Sequence, residues 1–125
     1  MEVEDVIKKC SGMILRDSIG AVARSMVDQS LIVPLERPIN SGDNVVMMLT
    51  SKDKEGRIWA TAYTSDAEFL REFPQGHIRG TIKFAALLDI MTRDQNFAGL
   101  ILNRASEWAY PIFREFFAEV DAAIR

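Results

Sequence analysis

The run Phe97-Ala98-Gly99-Leu100-Ile101-Leu102 is apolar without alternation and closes on Asn103. A strand apolar on both sides is normally covered on both faces, which calls for helices packed on a sheet. Val45-Val46-Met47-Met48-Leu49, inside a segment spanning 44–51, reads the same way. Around these runs the periodicity changes. Val3, Val6, Ile7 and Cys10, then Leu15, Ile19, Val22 and Met26, recur at helical spacing. The segment from about 2 to 28 is therefore helical, and Ser11-Gly12 leaves open two helices or one bent helix.

Ser30 to Leu35 is β-branched and closed by Pro34, a strand with an early stop. Residues 38–43 form a loop rich in turn formers. Asp53-Lys54-Glu55-Gly56 is a hairpin turn with Gly56 suited to the left-handed position, and residues 57–64 return as a strand. Ser65 and Glu68 have the spacing of a capping box, so a short helix follows, with Phe69, Leu70 and Phe73 turned inward. Thr81-Ile82 is a brief strand, and Phe84, Leu87, Leu88 and Met91 mark another helix. Trp108, Ile112, Phe116, Val120 and Ile124 recur every four residues, which predicts a last helix with Pro111 in its first turn.

The expected fold is α+β, a small mixed sheet of about four to five strands with helices packed on it. A length of 125 residues and an apolar share of 48% suit one domain covering 1–125, with its helical segment at about 2–28 and sheet and helices over 30–125.

Composition narrows function by exclusion. A formal net charge of −3 with no basic run longer than Lys8-Lys9 argues against nucleic acid and against an anionic membrane surface. The single cysteine, Cys10, removes intramolecular disulfides and cysteine-based zinc sites. An acidic start, Glu2, Glu4 and Asp5, is unlike a secretory signal, and no apolar run reaches the ~20 residues of a membrane span. The expected location is cytoplasmic.

Three pieces, in this order, resemble the N-terminal domain of the SseB (enhanced serine sensitivity) family. The first is Leu31-Ile32-Val33-Pro34-Leu35, directly after a helix. The second is Ala60-Thr61-Ala62-Tyr63-Thr64-Ser65 followed by Glu68-Phe69-Leu70. The third runs from Thr81 to Leu88 and then through Gly99-Leu100-Ile101-Leu102-Asn103 to Ser106, with Arg104 where the family usually has proline. The resemblance spans about Ser18 to Pro111. It implies the fold and, through relatives in secretion or immunity settings, protein–protein contact.

No residue pattern points to catalysis, so no catalytic, cofactor or metal residue is assigned. His77 has no carboxylate beside it in sequence and reads as a solvated loop histidine. Cys10 sits on the apolar side of its helix and reads as core. Asn103-Arg104-Ala105-Ser106 follows an apolar strand and leads toward the last helix, and open sheets place ligands in such strand-to-helix loops. Asn103 or Ser106 capping the helix explains the same residues. Asn103, Arg104, Ser106 and the large amphipathic Trp108 form the candidate interaction or ligand loop. The expected function is a non-enzymatic protein-binding or regulatory domain without cofactor, its partner another protein or a second copy. The alternative is a small-ligand domain or minor enzyme with a pocket near 103–106.

Overall fold

The computed structural model describes residues 3–10, 13, 15–36 and 48–125. The N-terminal segment is two helices, α1 (Val3–Cys10) and α2 (Leu15–Ser25). After them come β1 (Ser30–Pro34), β2 (Thr50–Lys52), β3 (Ile58–Ala62), α3 (Asp66–Glu72), β4 (Arg79–Lys83), α4 (Phe84–Arg93), β5 (Phe97–Leu102), β6 (Tyr110–Phe113) and α5 (Phe117–Ile124). A turn of 3₁₀ helix, Arg114–Phe116, joins the last two. The fold is α+β.

The described strands form two sheets, not one. β1 pairs antiparallel with β4, and the other sheet runs β2-β3-β5-β6. Within it β3 and β5 are parallel and the outer pairs antiparallel. The sheets are stitched together where Ile32 and Tyr63 exchange backbone bonds of 2.9 and 2.8 Å and Leu49 N–H donates to Pro34 O at 2.9 Å.

Register explains the core. Ala60, Leu100 and Ile112 stand side by side, as do Ala62, Leu102 and Tyr110. These residues point to one side of the sheet, where they meet Val3, Ile7 and Cys10 of α1, Val22 and Ala23 of α2, Leu87 and Met91 of α4, and Phe117 and Val120 of α5. Tyr110 also reaches Ser18 of α2, hydroxyl to hydroxyl at 2.6 Å, a buried polar tie between helix and sheet. Cys10 is buried in this cluster, as its helical position suggests.

Two expectations change. The last apolar segment is not one helix from Pro111. Tyr110 and Ile112 are buried while Pro111 and Phe113 are exposed, the period of a strand. A recurrence every four residues is also a multiple of two, so the pattern fitted both structures. Pro111 is tolerated because β6 lies at the sheet edge, where a missing donor breaks no ladder. The other change concerns the second apolar run. Residues 45–47 and the 38–43 loop lie outside the described residues; Met48 makes a single bridge to Leu35, and the strand that pairs with β3 is Thr50–Lys52. The Thr81-Ile82 strand is longer than expected and is the partner of β1. No helix among the described residues is long and apolar enough to cross a membrane.

Candidate functional site

Opposite the core, the sheet carries a second, more accessible side. Trp59, Gly99 and Phe113 form one row across β3, β5 and β6, and Thr61, Ile101 and Pro111 the next. The Trp59 ring lies over Gly99, whose missing side chain makes the approach feasible. Phe113 meets the indole edge-on, 5.2 Å between centroids at 80°. Gly99 is thus buried under a side chain of its own sheet, although both-sided cover by helices is the usual arrangement for such a strand.

Phe113 stands between two hollows. One of about 380 Å³ is lined by Trp59, Ile101, Pro111, Asp53, Arg57 and Arg104, among others. One of about 330 Å³ lies toward Asn96, Phe97 and Ala98. Phe113 itself is 37% exposed.

The β2–β3 turn fixes the indole. Trp59 Nε1–H donates to Asp53 Oδ2 at 3.0 Å. Asp53 Oδ1 accepts the N–H groups of Glu55 and Arg57, both at 2.9 Å, and Oδ2 also accepts Arg57 Nε–H at 2.8 Å. The indole N–H above all, then the two backbone donors and the guanidinium, hold this carboxyl down to about 2, against partial burial that acts the other way. A carboxyl lowered by folding contributes stability that is complete above its ordinary pKa and lost as pH falls through the folded value. Asp53→Asn should therefore melt earlier than the parent at pH 7, with the two converging between about pH 4 and 2. Melting curves across that window check it; a constant difference would show that the ionised carboxylate is not what matters.

The 103–106 loop joins strand to strand, because the segment after it is β6, and so neither Asn103 nor Ser106 caps a helix. Asn103 is 4% exposed with φ +53°, a left-handed conformation that asparagine tolerates. Its Oδ1 accepts Thr64 N–H and its Nδ2 donates to Thr64 Oγ1, each at 3.0 Å. Thr64 Oγ1 in turn donates to Glu4 Oε1 at 2.8 Å. Asn103 is therefore a clamp joining the carboxyl ends of the parallel strands to α1. Ser106 Oγ accepts Trp108 N–H at 3.0 Å and shapes the hairpin loop. Arg104 is the member of the set that reaches the open face, paired with Glu72 at 3.4 Å. Trp108, 37% exposed, lines neither of these two hollows. Asp53 entered the sequence reading only as a turn residue, and Arg57 and Phe113 escaped it; the two-residue spacing of Trp59 with Thr61 and of Pro111 with Phe113 was the available signal.

Tyr63 donates weakly to Glu72 at 3.4 Å, and burial, with the Glu72 charge second, pushes its phenol up to about 12, so it stays protonated. His77 is exposed, stacked on Phe73 at 4.8 Å with Nε2 3.1 Å from Leu35 O. Among the described residues no group of three His, Cys, Asp or Glu side chains is placed to hold a metal ion. No family model matches the chain, and no curated protein or solved structure matches it.

Proposed function

We propose that the chain is a non-enzymatic, cytoplasmic protein-binding domain of the SseB-like type whose partner sits on the open face of the four-stranded sheet. The observation that carries this reading is the Trp59–Phe113 pair, in which a buried indole, 6% exposed and hydrogen-bonded to Asp53, backs the exposed Phe113 ring, with a hollow on either side of that ring. Aromatic anchors with a polar or arginine rim are the usual energetic centre of a protein interface. Arg57 and Arg104 supply that rim. The strand β3 running into Thr64-Ser65 and α3, and β5 ending at Asn103, follow the order that the family resemblance implies and so support it.

The test is capture of a stoichiometric partner on the immobilised protein, repeated with Phe113→Ala, Arg104→Ala and Trp108→Ala. Loss of the partner with Phe113→Ala and Arg104→Ala, while the melting curve stays cooperative, is the expected result. Retention by both would remove this surface from consideration. Light scattering over a concentration series would show whether the partner is a second copy. A second reading, a small-ligand domain, is favoured by the placing of Arg104 at the larger hollow; there a ligand should raise the melting temperature.

A further inference from the structure

We infer that the outer edge of β4 is a strand-addition site for an extended, acidic segment of another protein, distinct from the open sheet face. Backbone bonding on β1 leads to it. Ile32 exchanges its main-chain bonds with Tyr63, and Pro34 O accepts from Leu49, so these residues face away from β4. Antiparallel pairing alternates, so the bonds to β4 come from Leu31 and Val33, opposite Ile82 and Gly80, and Leu35 N–H continues the series onto Ile78 O at 2.9 Å. Arg79, Thr81 and Lys83 therefore aim their N–H groups outward. Among the described residues no backbone partner meets them. Such a row is a template for an added strand.

The side chains say which strand. Cross-strand partners share a face, so Arg79, Thr81 and Lys83 lie on the face of Ile32, and all three are exposed. A hollow of about 520 Å³ opens there, lined by Ile32, Asp66, Arg79, Gly80 and Thr81. Residues added opposite Arg79, Thr81 and Lys83 would project onto this face at every second position. The matching pattern is acid–x–apolar–x–acid, the apolar side chain beside Ile32 and Thr81 and the carboxylates against the two cations. Arg79 already contacts the exposed Asp66 at 3.2 Å and lies over Phe69, which orients its guanidinium. Lys83 Nζ reaches Asp28 O at 3.3 Å, an uncharged acceptor, so its charge is available. A second copy fits poorly: two-fold antiparallel pairing about Thr81 sets Arg79 against Lys83, like charge on like charge.

The experiment titrates the ¹⁵N-labelled protein with the capped peptide Glu-Thr-Val-Thr-Glu and with Lys-Thr-Val-Thr-Lys. Saturable shifts at the amides of Arg79, Thr81 and Lys83 are expected with the acidic peptide, and binding about tenfold weaker with the basic one. Exchanging the charges in Arg79→Glu/Lys83→Glu should reverse the preference. Thr81→Pro, which removes an outward donor and no bond to β1, should abolish it while the melting curve stays cooperative. Equal binding of both peptides, no saturable shift with either, or concentration-dependent self-association through these amides would each overturn the inference. The peptides leave the Trp59–Phe113 surface untouched, so failure here and failure of the open-face reading are separate results.

Discussion

Alanine at position 99 is expected to destabilise the protein by about 3 kcal/mol or more, the upper end of overpacking costs and a large part of the ~5–15 kcal/mol that holds a domain of this size together. A Cβ there would fall on the Ile112 carbonyl oxygen and 2.5 Å from Cζ3 of Trp59. The first obstacle is backbone on the edge strand and cannot swing away; the second is a ring held at its other end by Asp53. Relief would need β6 to separate from β5 or the indole to leave the face, and the first loses ladder bonds. Urea unfolding of Gly99→Ala measures the loss. Combined with Trp59→Leu, part of the penalty should return, because only the carbonyl clash remains; strict additivity would mean that the two sites are uncoupled. A near-neutral Gly99→Ala would show that β5 and β6 are not held this closely.

Where one local rule acted alone, the sequence was readable. Ser65 accepts Glu68 N–H at 3.2 Å, as its spacing suggests, although the return bond of the capping box is not made: Glu68 Oε1 pairs with Arg71 at 3.4 Å, and Oε2 has no hydrogen-bond partner among the described residues. Gly56 takes a φ of +80° at the hairpin turn, and β5 occupies the unalternating apolar run, although at Gly99 the second face is covered by Trp59 of its own sheet. Reading failed where two rules gave the same pattern. Ile112 belongs both to a four-residue repeat and to a strand alternation, and only an edge position, a fact of tertiary pairing, decides that Pro111 is admissible. That error turned the 103–106 loop into a helix entry and Asn103 into a cap. The open face was hidden for a related reason. Trp59 comes from a strand far from β5 and β6 in the chain, and the register that aligns it with Gly99 and Phe113 has no signature in any one strand.

Arg114 gives the other large expected effect, again through partners that leave no trace in sequence. Its Nη1 lies 2.9, 2.9 and 3.0 Å from the carbonyl oxygens of Met91, Asp94 and Phe97, and its Nη2 donates to Thr92 O at 2.9 Å. Nη1 has two hydrogens for three acceptors, so one is shared. Met91 and Thr92 carry two of the last carbonyls of α4, groups that an α-helix leaves unpaired at the negative end of its dipole, while Asp94 and Phe97 belong to the turn and to the start of β5. One guanidinium thus closes α4, fixes the start of β5 and holds the 3₁₀ turn after β6. Removing it takes a donor from four carbonyls at once, although Asp94 O keeps the Phe97 N–H at 3.2 Å, and with charge-assisted bonds worth about 1.5–3 kcal/mol each before water compensates the exposed ones, Arg114→Met should cost about 2–4 kcal/mol. Lysine keeps the charge but lacks the planar fork, so Arg114→Lys should recover less than half of that. Because the acceptors are neutral carbonyls, the loss should survive about 1 M salt, where the exposed Arg125–Asp89 and Arg125–Asp121 pairs are screened. Chemical unfolding in urea at low and high salt makes the comparison. If high salt erases the difference between Arg114 and Met, the side chain acts as a surface charge and not as a cap, and the closure of α4 must come from its own backbone.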